Sequence, residues 1–336
     1  VQGYADGRRL HFFDPAPSFP YDTLTTLATR GASVRDVWTA NPSNTIVAGF
    51  DTRGDRATFG ASYYVAPTVA SDATTAWYAE DDVHAPASPL SYSLGLRREH
   101  PQGVAAVTVP SIGVTDALGD GTLKANYARS FRTPTLDERY FPGFGTPTLQ
   151  PEYGATFDLG ISEPAGRGLA SLTYFGTDTN NLIVDVPIDS FGDVAPENVA
   201  RARVRGFDSS YTTPLGGGLA LTASYTDYPE ARDLTENTRI LYRPAATGGL
   251  RLERDGSRGA YGADLDYVGR RYADESDKTQ LPQFATIGAF ARRSLGGGTA
   301  ITLRLDNLTG ERVQESFGYP VMGPTLSLTV SQAWHR

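Results

Sequence analysis

The chain has 336 residues, a formal net charge of −8, 36 glycines, 33 phenylalanines and tyrosines together (15 and 18), and no cysteine. The missing thiols exclude a disulfide scaffold, thiolate zinc sites and cysteine nucleophiles, and the acidic balance argues against a nucleic-acid binder, which needs a basic face for phosphates. A run of about 18 apolar residues is absent, so no transmembrane helix is encoded; a membrane β-barrel is not excluded, because its lipid-facing and lumen-facing residues alternate.

Strand signals fall near residues 3–13, 30–38, 44–52, 74–83, 89–98, 106–115, 121–130, 153–162, 168–177, 203–212, 217–226, 246–254, 259–268, 284–293 and 298–306, and end with Thr325–Trp334. Apolar and polar residues alternate strictly in several of them. Tyr92, Leu94 and Leu96 interleave with Ser91, Ser93, Gly95 and Arg97; Leu219, Leu221, Ala223 and Tyr225 repeat the pattern. Ile301, Leu303 and Leu305 interleave with Thr302, Arg304 and Asp306, and Leu326, Leu328 and Val330 with Thr325, Ser327, Thr329 and Ser331. Alternation suits a soluble sandwich and a membrane barrel equally, but the connections discriminate. Short glycine-rich turns at Asp116–Asp120, Glu163–Gly168, Pro214–Gly218, Asp255–Arg258 and Ser294–Gly298 take turns with long connections at Phe131–Glu152, Asp178–Ala202, Asp227–Ala245, Arg270–Gln283 and Asn307–Pro324. An up-and-down antiparallel barrel with one short-looped end produces this order, whereas a Greek-key sandwich has no reason to. The expected fold is therefore all-β, a transmembrane antiparallel up-and-down β-barrel of about sixteen strands filling residues 1–336, with residues 1–29 the part least marked by pattern. No repeat near 40–50 residues supports a propeller. No leader peptide is visible, because the first residues lack a charged segment followed by an apolar core.

Tyr127-Ala-Arg-Ser-Phe-Arg-Thr-Pro-Thr-Leu-Asp-Glu-Arg-Tyr140 and Pro147-Thr-Leu-Gln-Pro-Glu152 resemble the "S-F-R-A-P-T-L-x-E-L-Y" and "N-P-x-L-x-P-E" of TonB-dependent outer-membrane receptors. Further matches follow in order: Tyr174-Phe175 with Asn181-Leu-Ile183, Asn198-Val-Ala-Arg-Ala-Arg-Val-Arg-Gly-Phe-Asp208, Leu305-Asp-Asn-Leu308, and Phe317-Gly-Tyr-Pro320 with Gly323. Each has a plain structural reading too: Pro134, Pro147 and Pro151 punctuate a strand end and a loop, and Asn307 is a turn former. The resemblance implies the barrel of a receptor in the bacterial outer membrane. It implies uptake of a bulky nutrient such as a ferric siderophore or vitamin B12, with the TonB complex as partner, acting on a globular plug, and with outer-membrane lipid and lipopolysaccharide around the wall. The family barrel has twenty-two strands, against about sixteen here, and no segment resembles the plug. A family chain normally ends on an aromatic residue, whereas Trp334 is followed by His335 and Arg336. The alternative reading is a plugless passive pore or a structural barrel scaffolding an outer-membrane assembly.

An enzyme is not expected. The four histidines, His11, His84, His100 and His335, are scattered, and there is no Gly-x-Ser-x-Gly elbow, P-loop or dinucleotide fingerprint. No cofactor is required, but Asp274, Glu275 and Asp277 in a long connection could hold Ca²⁺ through oxygen ligands, the plainer reading being a solvated charge run. Glu80, Asp81 and Asp82 read as solvated at a strand end. For ligand binding the candidates are the loop aromatics Tyr140, Phe141, Phe144, Phe317 and Tyr319, which can stack on a bulky, partly apolar ligand or form a girdle at the membrane interface.

Overall fold

The computed structural model describes residues 1–14, 21–61, 66–84, 88–187, 194–274, 276–312, 314–320 and 322–333. Among the described residues there are twenty strands and one short helix: β1 (Gln2–Asp14), β2 (Tyr21–Asn41), β3 (Asn44–Ala61), β4 (Thr68–His84), β5 (Leu90–Pro101), β6 (Val107–Leu118), β7 (Gly121–Arg132), α1 (Leu136–Tyr140), β8 (Glu152–Ala165), β9 (Gly168–Pro187) and β10 (Val194–Gly216). They continue with β11 (Leu219–Asp233), β12 (Ala246–Gly256), β13 (Gly259–Val268), β14 (Arg271–Tyr272), β15 (Gln280–Leu281), β16 (Phe284–Gly296), β17 (Thr299–Asp306), β18 (Gln314–Ser316), β19 (Tyr319–Pro320) and β20 (Thr325–Gln332).

Sixteen of the strands form one sheet in sequential order, β1 through β13 followed by β16, β17 and β20, and β14–β15 and β18–β19 are separate two-stranded hairpins. Each of the sixteen strands expected from the pattern overlaps one of these. The expected short turns are tight: residues 119–120, 166–167, 217–218, 257–258 and 297–298 each form a two-residue turn. Gly217 and Gly218 have φ of 60° and 79°, and Gly297 and Gly298 have 60° and 80°. A type I′ turn needs positive φ at both central positions, which glycine adopts without a Cβ clash.

Contacts divide the chain into two compact units. The first comprises Val1–Asp116, Ala125–Phe157 and Thr177–Arg201; the second Ala117–Lys124, Asp158–Gly176 and Ala202–Arg336. The small buried core of the first unit joins Ala57, Phe59, Ala70 and Leu136, with Leu27, Tyr140 and Phe141 packed against it.

Within each unit the sheet has its polarity inverted relative to a water-soluble protein. On β5 in the first unit, Tyr92, Leu94 and Leu96 are exposed while Ser91, Ser93, Gly95, Arg97 and Glu99 are the half-buried set. Leu94 stands opposite Ile112, also exposed, and Trp77 opposite Arg98. In the second unit Leu303 on β17 is exposed between half-buried Thr302 and Arg304, and it stands opposite Leu328 on β20, which is 66% exposed. Water would penalise such a face by about 2 kcal/mol for each large aliphatic side chain left uncovered, whereas hydrocarbon would not.

All five expected long connections are shorter or more structured than the pattern suggested, Arg270–Gln283 and Asn307–Pro324 through the hairpins β14–β15 and β18–β19. β9 and β10 extend to Pro187 and from Val194, so that the expected Asp178–Ala202 connection shrinks to residues 188–193, which lie outside the described residues. β11 runs on to Asp233 because its ladder with β10 persists through Arg205↔Glu230 to Ala202↔Asp233, past the last apolar alternation. The Phe131–Glu152 connection contains α1. Its start is a capping box: Glu138 N–H donates to Thr135 Oγ1 at 3.2 Å and Thr135 N–H to Glu138 Oε2 at 2.7 Å.

Candidate functional site: polar face and loop anchors

The polar face of the first unit carries ion pairs. Arg97 reaches Asp51 at 2.7 Å and Glu99 at 2.5 Å, and Arg53 reaches Asp55 at 2.8 Å. These side chains, with Tyr4 and Asp137, line a cavity of about 710 Å³. Asp55 also accepts from Thr29 Oγ1 at 2.5 Å. On the polar face of the second unit Arg304 holds Asp264 at 3.0 and 3.1 Å and Asp306 at 2.7 Å, beside a smaller cavity that includes Thr222, Ser224 and Arg251. The ion-paired arginines Arg53, Arg97 and Arg304 thus lie on the face away from the exposed leucines, where charge is less costly than against lipid.

The long connection after β7 is anchored by one guanidinium. Arg132, the last residue of β7, donates to Glu152 Oε2 at 2.8 Å and Oε1 at 2.6 Å, and to Glu138 Oε2 at 2.9 Å and Oε1 at 3.0 Å. Glu152 Oε1 further accepts from Ile183 N–H at 2.9 Å, so β7, β8, β9 and α1 meet at this cluster. The planar fork of arginine matches two carboxylates in a way that a lysine cannot. Burial disfavours the ionised form of Glu138, but the hydrogen bonds from Arg132 and Thr135 outweigh it and hold the carboxyl below the ordinary glutamate range. Asp137 beside it is pushed up, first by burial and then by Glu138.

Asparagines fasten the other loops. Asn198 donates to the carbonyls of Gln150 at 2.8 Å and Asn181 at 3.0 Å, and accepts from Gln150 N–H at 2.7 Å. Asn181, at φ 60°, donates in turn to the Pro151 carbonyl at 2.8 Å. Asn307, at φ 51° and 7% exposed, donates to the carbonyls of Glu311 at 3.1 Å and Met322 at 2.8 Å and accepts from Glu311 N–H at 2.9 Å. Asparagine suits all three positions because it offers both donor and acceptor to main-chain groups, and suits Asn181 and Asn307 also because it tolerates left-handed backbone.

Arg132, Glu138, Glu152, Asn181, Asn198 and Asn307 all lie in the quoted motifs, and their role in this structure is to pin connections to the sheet.

The residues expected to bind lie in several environments. Tyr140 and Phe141 pack on the buried cluster, Phe141 edge-on to Phe59 at 5.5 Å, and the Arg139 guanidinium lies over the Tyr140 ring at 4.9 Å. Phe144 is half-buried in the turn that follows. Phe317 and Tyr319, in the second unit, are 62% and 75% exposed on the β18–β19 hairpin. Asp274 accepts from Ser276 N–H at 2.9 Å, Ser276 Oγ at 2.5 Å, Lys278 N–H at 3.2 Å and Thr279 N–H, which holds its carboxyl well below the usual range. Asp277 accepts from Arg239 N–H at 3.1 and 3.2 Å, and Glu275 lies outside the described residues. Trp334, His335 and Arg336 do as well.

Arg271 was not singled out by any pattern. It is 2% exposed and donates to the carbonyls of Glu315 at 3.1 Å, Pro282 at 3.2 Å, Gly269 at 3.4 Å and Gln314, tying the β14–β15 segment to the β18–β19 hairpin. A lone arginine in a polar loop carries no local signal of such a role.

Among solved structures the chain is similar to the ferric enterobactin receptor PfeA of Pseudomonas aeruginosa, in a point-mutant form, with TM-score 0.79 and 20% identity over 99% of this chain and 58% of that one. It is also similar to the copper transporter OprC, with TM-score 0.83 and 16% identity over 98% and 61% of the two chains. The siderophore receptor PirA from Acinetobacter baumannii gives TM-score 0.73 and 16% identity over 93% and 55%. The chain therefore spans less than two thirds of the length of each of these structures, and the likeness shows a shared fold. No curated relative matches. The family model described as TonB dependent receptor-like, beta-barrel matches residues 2–308. The chain belongs to the TonB-dependent receptor family of β-barrels, a family of transport receptors and not of enzymes.

Proposed function

We propose that this chain forms wall in the barrel of a bacterial outer-membrane receptor that takes up a bulky nutrient, such as a ferric siderophore or vitamin B12, with energy delivered through TonB. The observation that carries the reading is the inverted polarity of the sheet. Leu94, Leu96, Leu326 and Leu328 on the exposed face suit contact with lipid and the acyl chains of lipopolysaccharide, while Arg97 and Arg304 with their carboxylates suit a wet interior. Membership of the receptor family supports it, and the likeness to PfeA and PirA, a ferric enterobactin receptor and a siderophore receptor, favours a chelated metal over cobalamin.

The test is uptake in the parent bacterium. Cells lacking the gene, cells lacking TonB and wild-type cells are given radiolabelled ferric siderophores and cobalamin, and the protein is followed by membrane fractionation. The expected result is a protein in the outer-membrane fraction and one labelled substrate whose accumulation needs both the gene and TonB. Uptake that persists without TonB would favour a passive pore instead.

A further inference from the structure

The outer, apolar face of the second unit changes character at its short-turn end. Residues directly opposite in antiparallel pairs share a face, and one row on it runs Arg254 (β12), Tyr261 (β13), Ala291 (β16), Leu303 (β17) and Leu328 (β20). The next row on that face, two residues nearer the turns, carries Arg293 on β16, with Ile301 and Val330 beside it. The register shift between Ser294 and Gly296 lies beyond both rows. Arg254 and Arg293 therefore border the strip of Leu252, Leu303, Leu328 and Val330, which are 40–66% exposed. Two strand spacings separate them sideways, about 10 Å. Arg258 sits in the two-residue turn between β12 and β13, and its carbonyl accepts from Ser294 N–H at 2.8 Å, so that this turn abuts the residue after Arg293.

The protein does not neutralise these cations. All three are exposed, and among the described residues none of them makes an ion pair. The carboxylates of the same five strands take the other face: Asp264 and Asp266 line the polar cavity, Asp306 is held by Arg304, Glu253 is held by Arg251 at 2.7 Å, and Asp255, next to Arg254 in sequence, stands opposite Ala260. The adjoining turns at residues 217–218, 257–258 and 297–298 contain no acidic residue. In a chain of net charge −8 this is a local reversal of sign. Arg254 is also oriented in advance. Its Nε donates to the carbonyl of Gly217, in the neighbouring turn, at 3.1 Å, and its Nη1 to Tyr261 Oη at 3.3 Å. The guanidinium is thus drawn from the apolar rows toward the turns, the course of an arginine whose stem covers apolar surface while its head seeks polar surroundings.

We infer that Arg254, Arg258 and Arg293 form a binding site for the phosphodiester headgroup of an anionic glycerophospholipid whose acyl chains lie along the exposed leucines. Guanidinium groups take phosphate oxygens in paired, charge-assisted hydrogen bonds, and the Tyr261 ring, 55% exposed, stands where headgroup meets acyl chain. The unpaired cations run directly into the apolar strip, and this continuity selects a lipid over a free phosphate, which has no use for the leucines. Short turns lie at the periplasmic end of an outer-membrane barrel, which assigns the headgroup to the periplasmic leaflet. The choice of leaflet rests on the receptor reading; the headgroup chemistry does not.

The test is native mass spectrometry of the intact protein in a neutral detergent, titrated with phosphatidylglycerol. A saturable lipid adduct is expected, about tenfold tighter than the adduct with phosphatidylcholine, whose own cation opposes the arginines. Arg254→Gln and Arg293→Gln should each weaken it about fivefold, the effect of one cation at an anionic lipid surface, and Arg254→Lys and Arg293→Lys, which keep the charge, should weaken it less. Arg292→Gln removes the same charge one residue away on the other face and should change nothing, which separates a site from the protein's overall charge. Competition by soluble glycerophosphoglycerol as strong as that by the lipid would reveal a site for a free phosphodiester and overturn the lipid assignment. Equal binding of the two lipids, or binding unchanged in the double glutamine variant, overturns the proposal outright. TonB-dependent uptake without a preference for phosphatidylglycerol would leave the receptor reading standing and sink the site. A preference that the arginine variants lose, in a protein with no TonB-dependent uptake, would do the reverse.

Discussion

Arg271 shows how a single side chain can organise a loop. Its guanidinium satisfies main-chain carbonyls of Gly269, Pro282, Gln314 and Glu315, so truncation would leave several shielded acceptors without donors. Arg271→Met is expected to destabilise the β18–β19 hairpin by about 3 kcal/mol, the range for a lost buried polar network. Chymotrypsin reads this out at Phe317, which is exposed and followed by Gly318, whereas Pro320 protects the bond after Tyr319; faster cleavage is expected in the variant, and an unchanged rate would show that the hairpin does not depend on Arg271. Glu138 gives a pH-dependent counterpart. Its folded pKa lies below the ordinary value, so the stability it contributes is fully present above the unfolded value, about 4.3, and is lost as pH falls through the folded one. Asp137 acts in the opposite sense: with its folded pKa raised, it favours the fold at low pH and loses that contribution as pH rises through the unfolded and then the folded value. Amide exchange of Thr135, whose N–H is held by the Glu138 carboxylate, should therefore stay protected at pH 6 and open only below the glutamate range, and Glu138→Gln should abolish that acid step.

The strands and their connections were legible in the sequence to different degrees, for a physical reason. Alternation over β5, β17 and β20 is a local signal with a period of two, fixed by which face each side chain takes, and together with the alternating short and long connections it located the sixteen strands of the sheet. The ends of β10 and β11 escaped because a ladder continues wherever a partner strand offers backbone groups, whatever the side chains, as at Ala202↔Asp233. Helix α1 had a local signature, Thr135 three residues before Glu138, which a reading based on apolar periodicity passes over in so short a segment. The binding residues were less legible than the anchors. Tyr140 and Phe141 were singled out as rings, yet their packing on Phe59 and Leu136 depends on residues remote in sequence. The asparagine anchors can be tested directly. Asn198→Asp keeps the acceptor for Gln150 N–H but loses the donors to the Gln150 and Asn181 carbonyls, and should cost about 2 kcal/mol locally. Exchange at the Gln150 amide should quicken only modestly in this variant and strongly in Asn198→Ala, which lacks the acceptor too; equal rates in both would mean that the amide is protected by something other than Asn198.

The sheet's two faces make opposite demands on sequence, and this asymmetry ties the fold to its surroundings. In a soluble β-protein, charge on the exposed face of a strand is nearly free and charge on the covered face is costly. Here the order is reversed in both units: Arg97 and Arg304 sit on the more covered face, each ion-paired, while Leu94 and Leu328 sit on the exposed one. If the exposed face meets hydrocarbon, Leu328→Arg should destabilise the protein in a bilayer by about 2–4 kcal/mol when the site lies near the midplane, and by about 1 kcal/mol or less near the interface. Its ladder partner Leu303 faces the same solvent and should behave alike, whereas Ser327, which stands opposite Arg304, should accept Asn with little change. Urea unfolding in liposomes against unfolding in detergent micelles separates the two environments, since the flexible micelle lets an arginine reach water more easily than the bilayer does. A penalty for Leu328→Arg and Leu94→Arg that is larger in liposomes places both units in contact with lipid. An arginine tolerated at either position as readily as asparagine at 327 would mean that the exposed leucines of that unit face something other than a membrane, and the receptor reading would lose the observation on which it stands.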